Sequence, residues 1–336
     1  LGQLMRLRGR IMPGGSLDGS LDFGPVAESV DVGPGLHVRG QVPALDVAGW
    51  VAFAMRAPSD GTANAGAGFQ LGSVDITAGQ LDVLDNAFVD ARLRVRPRPG
   101  HWQVEVEGAE LAGEVRVPLD LEEGIEGRFA RVHWPSGRAA RGDSFDADPA
   151  TVPALRLAID DLNFGDARLG SARLETYPAQ EGLHVRRFET TSDTQRIRAT
   201  GHWARIEGRA YSRFAVDFTA DSLGRMLDAF GYAGMVEGGR TEARLEAGWV
   251  GSPAAFSLER VEGSLRVDVG QGRILEVEPG AGRLLGLVSL AELPRRLILD
   301  FSDFFGQGFS FNSIQGEFVL GGGQARTEDL AISGPA

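Results

Sequence analysis

Residues 92–121 read RLRVRPRPGHWQVEVEGAELAGEVRVPLDL, and the alternation within them decides the fold. In Arg92-Leu93-Arg94-Val95-Arg96 the arginines share one side of an extended chain while Leu93 and Val95 take the other, because successive strand side chains point to opposite faces. Pro97-Arg98-Pro99-Gly100 supplies a turn. Trp102, Val104 and Val106 then alternate with Gln103, Glu105 and Glu107, and after Gly108 the residues Val115, Val117, Leu119 and Leu121 are set against Arg116 and Asp120. Three one-sided strands joined by short turns predict an antiparallel meander.

The same period of two recurs outward from this stretch. Phe214, Val216 and Phe218 flank Asp217; Leu245, Ala247 and Trp249 oppose Arg244 and Glu246; Leu265, Val267 and Val269 oppose Arg266 and Asp268. Further on, Leu297, Leu299 and Phe301 alternate around Asp300, followed by Phe309 with Phe311 and Phe318 with Leu320. The 47 Gly and 16 Pro break these runs at intervals of roughly ten residues, as many short strands in series require. No exact repeat unit occurs. The expected fold is mostly β with a few short helices, a long sheet in which neighbours pair successively rather than a Greek-key sandwich.

The expected layout is a β-rich segment over 1–140 with a short helix near 45–55, a loop over 141–152 where small and acidic residues replace the alternation, and a second β region over 153–336 with helices near 222–231 and 283–293. The first helix begins at LDVAGWVAFA with Asp46 as its cap. The second sets Leu223, Met226, Leu227 and Phe230 on one stripe with Asp221 or Ser222 as N-cap. The third, GRLLGLVSLAELPRRL from Gly282, is apolar nearly all round until Pro294 stops it, so it must pack or insert.

Composition excludes several functions. The chain of 336 residues carries a formal charge of −12, and all 34 basic residues are scattered arginines, which argues against a nucleic-acid partner. The absence of Cys removes disulfides, thiolate catalysis and Cys-based metal sites. His37, His101, His133, His184 and His202 stand singly, with no close pair to nucleate a metal site. The glycines of Gly280-Ala281-Gly282 to Gly286 have the wrong spacing for a dinucleotide loop, and a tight strand-to-helix turn explains them. Asp300 and Asp303, three apart on a strand, face opposite ways, and no GxSxG elbow occurs. The expectation is a chain with no catalytic residue, metal or cofactor, and not an enzyme. It begins without Met and has neither a signal peptide nor an apolar run near 18 residues, so it is expected to be a piece of a longer protein.

From Pro153 the text PALRLAIDDLNFGDARLGSARLETYPAQEGLHVRRFETTSDTQRIRATGHW resembles the AsmA-like family. The strings GRLLGLVSL at Gly282–Leu290, RRLILDFSDFF at Arg295–Phe305 and GFSFNSIQGEF at Gly308–Phe318 are similar to the C-terminal region of its YhdP branch. That resemblance implies a long, curved antiparallel half-pipe in the periplasm, held in the inner membrane by an N-terminal helix that this stretch lacks. It implies a bridge-like groove that moves phospholipids between inner and outer membranes and so supports outer-membrane biogenesis and the permeability barrier. The implied partners are phospholipid acyl chains, with the two membranes reached through parts outside this stretch.

On that reading the groove is lined by Leu265, Val267, Val269, Leu297, Leu299, Phe301, Phe309, Phe311, Phe318 and Leu320. The apolar helix, with Leu284, Leu285, Leu287, Val288 and Leu290, caps the groove or touches membrane. The alternative is a structural or assembly protein of the cell envelope with a closed β core and no lipid cargo, since alternation alone builds either.

Overall fold

The computed structural model describes residues 5–11, 17–24, 34–47, 71–83, 86–135, 148–229, 234, 236–256, 260–275 and 309–334. These residues form 21 strands, one α-helix and three short 3-10 turns. Eighteen strands belong to one mixed sheet that is not closed into a barrel, and three form a small antiparallel sheet. The chain divides into two compact units, Leu1–Arg141 with Leu155–Ile159, and Gly142–Ala154 with Asp160–Ala336.

The first unit contains β1 (Met5–Ile11), β2 (Leu17–Phe23), β3 (Leu36–Asp46), β4 (Leu71–Val83), β5 (Asn86–Arg98), β6 (His101–Glu107), β7 (Leu111–Pro118), β8 (Ile125–Trp134) and the start of β9 (Leu155–Phe164). Strands β4 to β8 form the antiparallel meander that the alternation predicts. Gly100 closes the β5–β6 turn with φ of +77°, a conformation open to glycine at little cost. Leu119 and Leu121 fall beyond the end of β7, and Leu119 is exposed. Strands β2 and β3, and β3 and β4, pair in parallel, which one-sided alternation cannot distinguish from antiparallel pairing.

One irregularity crosses three strands at the same level. Val42, Ala78 and Ala91 are mutual partners on β3, β4 and β5, and the next apolar set is Leu45, Leu81 and Phe88, an odd number of residues further along each strand. One such slip would turn a strand's apolar residues to the wrong side. Three slips in line keep the face continuous. Asp90, at φ of +49°, absorbs the change in β5, a conformation that Asp tolerates better than most side chains.

The second unit continues with β10 (Ala167–Ala179), β11 (Gly182–Thr191), β12 (Gln195–Ile206), β13 (Arg209–Ala220), α1 (Leu223–Ala229), β14 (Val236–Gly238), β15 (Thr241–Val250), β16 (Glu262–Val269), β17 (Gly272–Ile274), β18 (Phe309–Phe311), β19 (Ser313–Gly321), β20 (Gln324–Arg326) and β21 (Ala331–Ser333). Strands β10, β11, β12, β13, β15, β16 and β19 pair successively and antiparallel, while β14, β17 and β18 form the small sheet.

Helix α1 falls where its apolar stripe predicts, and Ser222 is its cap: the Arg225 N–H donates to Ser222 Oγ at 3.3 Å. Gly224 lets the helix approach β14, since a Cβ there would lie 2.2 Å from the Val236 carbonyl oxygen. Near the first expected helix, β3 runs to Asp46 and Val47 is the first helical residue; the rest of that helix, and the one expected near 283–293, lie outside the described residues. Within the expected loop, Pro149–Thr151 form a 3-10 turn capped by Asp148, whose Oδ1 accepts from Ala150 N at 3.1 Å.

Candidate functional site

Register turns alternation along each strand into rows that cross the strands. In the first unit Leu7, Leu21, Val38, Val74, Val95, Val104, Val115 and Gly127 are successive partners from β1 to β8. A second row on the same face runs Met5, Phe23, Gly40, Ile76, Leu93, Val106, Gly113 and Phe129. The opposite face carries Arg6, Asp22, Arg39, Asp75, Arg94, Glu105, Glu114 and Arg128 in one line.

The second unit repeats the arrangement. Leu174, Phe188, Ala199, Val216, Leu245, Leu265 and Phe318 are successive partners, and Ala172, Thr190, Ile197, Phe218, Ala243, Val267 and Gly316 form the next row on that face. Behind them run Arg173, Glu189, Arg198, Asp217, Arg244, Arg266 and Glu317. With strands about 4.8 Å apart, each seven-strand row is roughly 29 Å long.

The charged lines are held by ion pairs between neighbouring strands. Arg39 pairs with the buried Asp22 at 3.0 Å, Arg92 with Asp75 at 2.7 Å, Arg198 with Glu189 at 3.2 Å and Arg266 with Glu317 at 2.8 Å. The Arg92 guanidinium engages both oxygens of Asp75, and this hydrogen bonding, reinforced by Arg94 and Arg96, holds the carboxyl below its usual range. Such pairs are worth little individually at the surface, but each fixes a register, and register is what aligns the apolar rows.

Within the second unit the apolar face is covered at both ends of its strands. At one end Leu183, Trp203, Ser212 and Trp249 are row partners and all are buried. Trp249 stacks on Phe214 at 5.5 Å and meets Phe256 edge-on at 5.2 Å, beside Ala255 and the fully buried Val261. At the other end Gln195, Ala220, Thr241 and Val269 are buried partners, with Leu223 of α1 and Gly239 beside Val269. Between these ends Leu174, Phe188, Val216, Leu245, Leu265 and Phe318, with Ile197, Phe218 and Val267 in the next row, are only half-buried. A half-buried apolar band between two covered edges can shelter an elongated apolar ligand lying across the strands.

Of the residues expected to line a groove, Leu265 and Phe318 share the first row and Val267 sits in the second. Val269 is buried at the α1 end, and Leu320 packs against the Trp249 cluster. Phe309 and Phe311 belong to the small sheet; Phe311 is 1% exposed, its ring where a Cβ on Gly272 would be, so protein packs it. Leu297, Leu299, Phe301, Leu284, Leu285, Leu287, Val288 and Leu290 lie outside the described residues. Leu174 and Phe188 are not among the residues the alternation singles out, and Leu93, Val95, Val104, Val106 and Val115 are legible as one apolar face but not as rows shared with β1 to β4; hairpin centres are the available signal, because residues equidistant from a turn become partners.

Glycines in the rows serve as floors for rings. A Cβ on Gly113 would lie 2.6 Å from Phe129, one on Gly127 3.1 Å from the same ring, and one on Gly201 2.6 Å from Phe214. Among the described residues no cluster of three or more His, Asp or Glu could hold a metal, and no helix is long and apolar enough to cross a membrane.

The intermembrane phospholipid transporter YhdP of Escherichia coli (strain K12) is 23% identical to this chain over 210 residues, covering 60% of the chain and 17% of that protein. The chain therefore matches a small part of the length of this curated relative. No solved structure matches it. The model of the family described as YhdP protein matches residues 1–336, both units included, and the chain belongs to that family.

Proposed function

We propose that this chain is a segment of a non-catalytic lipid conduit, in which phospholipid acyl chains lie along the apolar rows while the charged lines face water. The observation that carries the reading is the apolar row of Leu174, Phe188, Ala199, Val216, Leu245, Leu265 and Phe318 across seven strands, in which every member but the buried Ala199 is half-buried. Each methylene removed from water is worth about 0.8 kcal/mol, so sheltering a chain of ~15 carbons takes on the order of 10 kcal/mol. A single pocket would hold such a chain; a row of near-equivalent apolar positions lets it slide without crossing water.

The name of the relative, an intermembrane phospholipid transporter, supports the cargo class. On this reading the longer protein resides in the periplasm, is anchored in the inner membrane and reaches both membranes through parts beyond this chain. The apolar helix with Leu284, Leu285, Leu287, Val288 and Leu290 caps the groove or meets a membrane, and Leu297, Leu299 and Phe301 extend the lining.

Photo-crosslinking in the full-length protein in cells tests the reading, with the probe at Leu265 or at its neighbour Arg266. Phospholipid adducts are expected at Leu265 and not at Arg266. Adducts at neither, in folded protein, would replace the conduit by a closed core and an envelope spacer.

A further inference from the structure

The charged line of the second unit changes character near one end of its strands. On the side opposite the apolar rows, Tyr177, His184, His202 and Arg213 are successive partners on β10, β11, β12 and β13. The Tyr177 and His184 rings stack at 5.1 Å, and His184 and His202 lie 5.6 Å apart. The guanidinium of Arg186 sits over Tyr177 at 5.2 Å. A shallow depression lies between these groups, with Thr200 and Gly201 on its wall.

The local backbone is built for this. Register shifts on both sides of β11, between Glu175 and Thr176 and between Val185 and Phe188, leave Arg186 outside the regular ladder. Bulges of this kind re-aim side chains and recur beside binding sites. Arg186 and Arg213 have no carboxylate partner among the described residues, whereas Arg187, Arg198 and Arg244 are paired. Two imidazoles on adjacent strands would suit a transition metal, but two guanidinium groups against the single carboxylate of Glu181, 3.8 Å from His184, oppose a cation.

We propose that Arg186, His184, His202 and Tyr177 form a binding site for a phosphate group, on the face away from the apolar rows. Arg186 supplies the fixed charge and donor fork, the phenol and the His184 imidazole further donors, and His202 a donor that gains charge when protonated. The groups facing His202 are His184, Arg213 and Glu181; burial first, then His184 and Arg213, depress its pKa, while Glu181 opposes them. A bound phosphate adds negative charge and reverses that balance, raising the His202 pKa; a phosphodiester, whose own charge is constant over this range, therefore binds with proton uptake and more tightly as pH falls. The phosphate is free or belongs to a phospholipid headgroup.

The test is NMR of the His184 and His202 ring protons in the full chain, titrated at pH 6 and pH 8 with inorganic phosphate, with dihexanoylphosphatidylglycerol below its micellar concentration, and with Zn2+. Saturable shifts with inorganic phosphate and a raised His202 pKa are expected for free phosphate; binding of the phosphodiester, whose charge is constant, is expected to be about tenfold tighter at pH 6. Shifts with the short-chain lipid alone assign the site to a headgroup. Arg186→Gln should weaken binding about tenfold at both pH values, and His202→Asn should flatten the pH dependence. No saturable shift with either phosphate compound, or shifts with Zn2+ alone, would overturn the proposal, and so would full affinity in folded Arg186→Gln. Lipid crosslinking at Leu265 is independent of all these outcomes.

Discussion

At the scale of single residues, the side chains that define register and those that define the apolar rows are neighbours in sequence and opposites in chemistry. Asp75 and Arg92 make a two-point pair across β4 and β5, with 38% and 44% of their side chains exposed. Solvent screening at that exposure limits the coupling to about 0.5–1 kcal/mol, which a double-mutant cycle with Asp75→Asn and Arg92→Gln measures by urea unfolding. The pH dependence has a definite sign. The folded state holds the Asp75 carboxyl below its ordinary value, so it binds fewer protons than the unfolded chain as pH falls toward 4. The stabilisation is complete above the unfolded value and is lost as pH falls through the folded one, and Asp75→Asn should show a correspondingly shallower loss between about pH 5 and pH 3. Equal acid sensitivity in both proteins would remove Asp75 from the account. His184 and His202 illustrate what single residues conceal: each stands alone in sequence, nine residues either side of Asp193, and only the hairpin about that turn makes them partners.

At the scale of elements, what was legible was local and what was not depended on pairing. The strands around Leu93 and Val95, the turn at Gly100 and helix α1 follow from period and turn chemistry alone. The parallel pairing of β2, β3 and β4 does not, because parallel and antiparallel strands alternate alike. Nor does the concerted slip at Val42, Ala78 and Ala91, since each extra residue looks like a local defect until its neighbours carry the same one. Phe309 and Phe311 alternate as well as any groove strand yet lie in a separate sheet, for alternation names a face and not what lies on it. The α1 corner has the most exacting local geometry: Ser222 Oγ accepts from the Arg225 N–H and also donates to the Gly238 carbonyl at 3.2 Å. Ser222→Ala should cost about 1 kcal/mol. Gly224→Ala should cost more, roughly 2 kcal/mol, because its new methyl meets the Val236 carbonyl and must push α1 from β14. Thermal unfolding of both variants orders the two effects, and a neutral Gly224→Ala would mean that the helix does not rest on β14.

At the scale of the whole molecule, the two units share a construction: charges of both signs on one face, apolar partners on the other, aligned across seven or eight strands. The proposed conduit would have no privileged residue, so its weakness would be interruption rather than loss of a site. Leu245 sits at mid-row between Val216 and Leu265, half-buried, with one side packed against the Trp249 cluster. In the full-length protein, Leu245→Asp would strip apolar contact from roughly two methylenes of a passing chain, ~1.6 kcal/mol, and slow phospholipid transfer about tenfold. Leu245→Met keeps the wall apolar and should transfer normally. Arg244→Gln, on the charged face, should also transfer normally, although it removes pairs with Asp217 and Glu246. Rates measured for the three variants in cells, with folding checked by protease resistance, separate the two construction principles. A slow Arg244→Gln beside a normal Leu245→Asp would place the cargo on the charged face and reverse the assignment of inside and outside. Equal rates in all three would mean that protein already fills the band at Leu245, and the rows would then be a core.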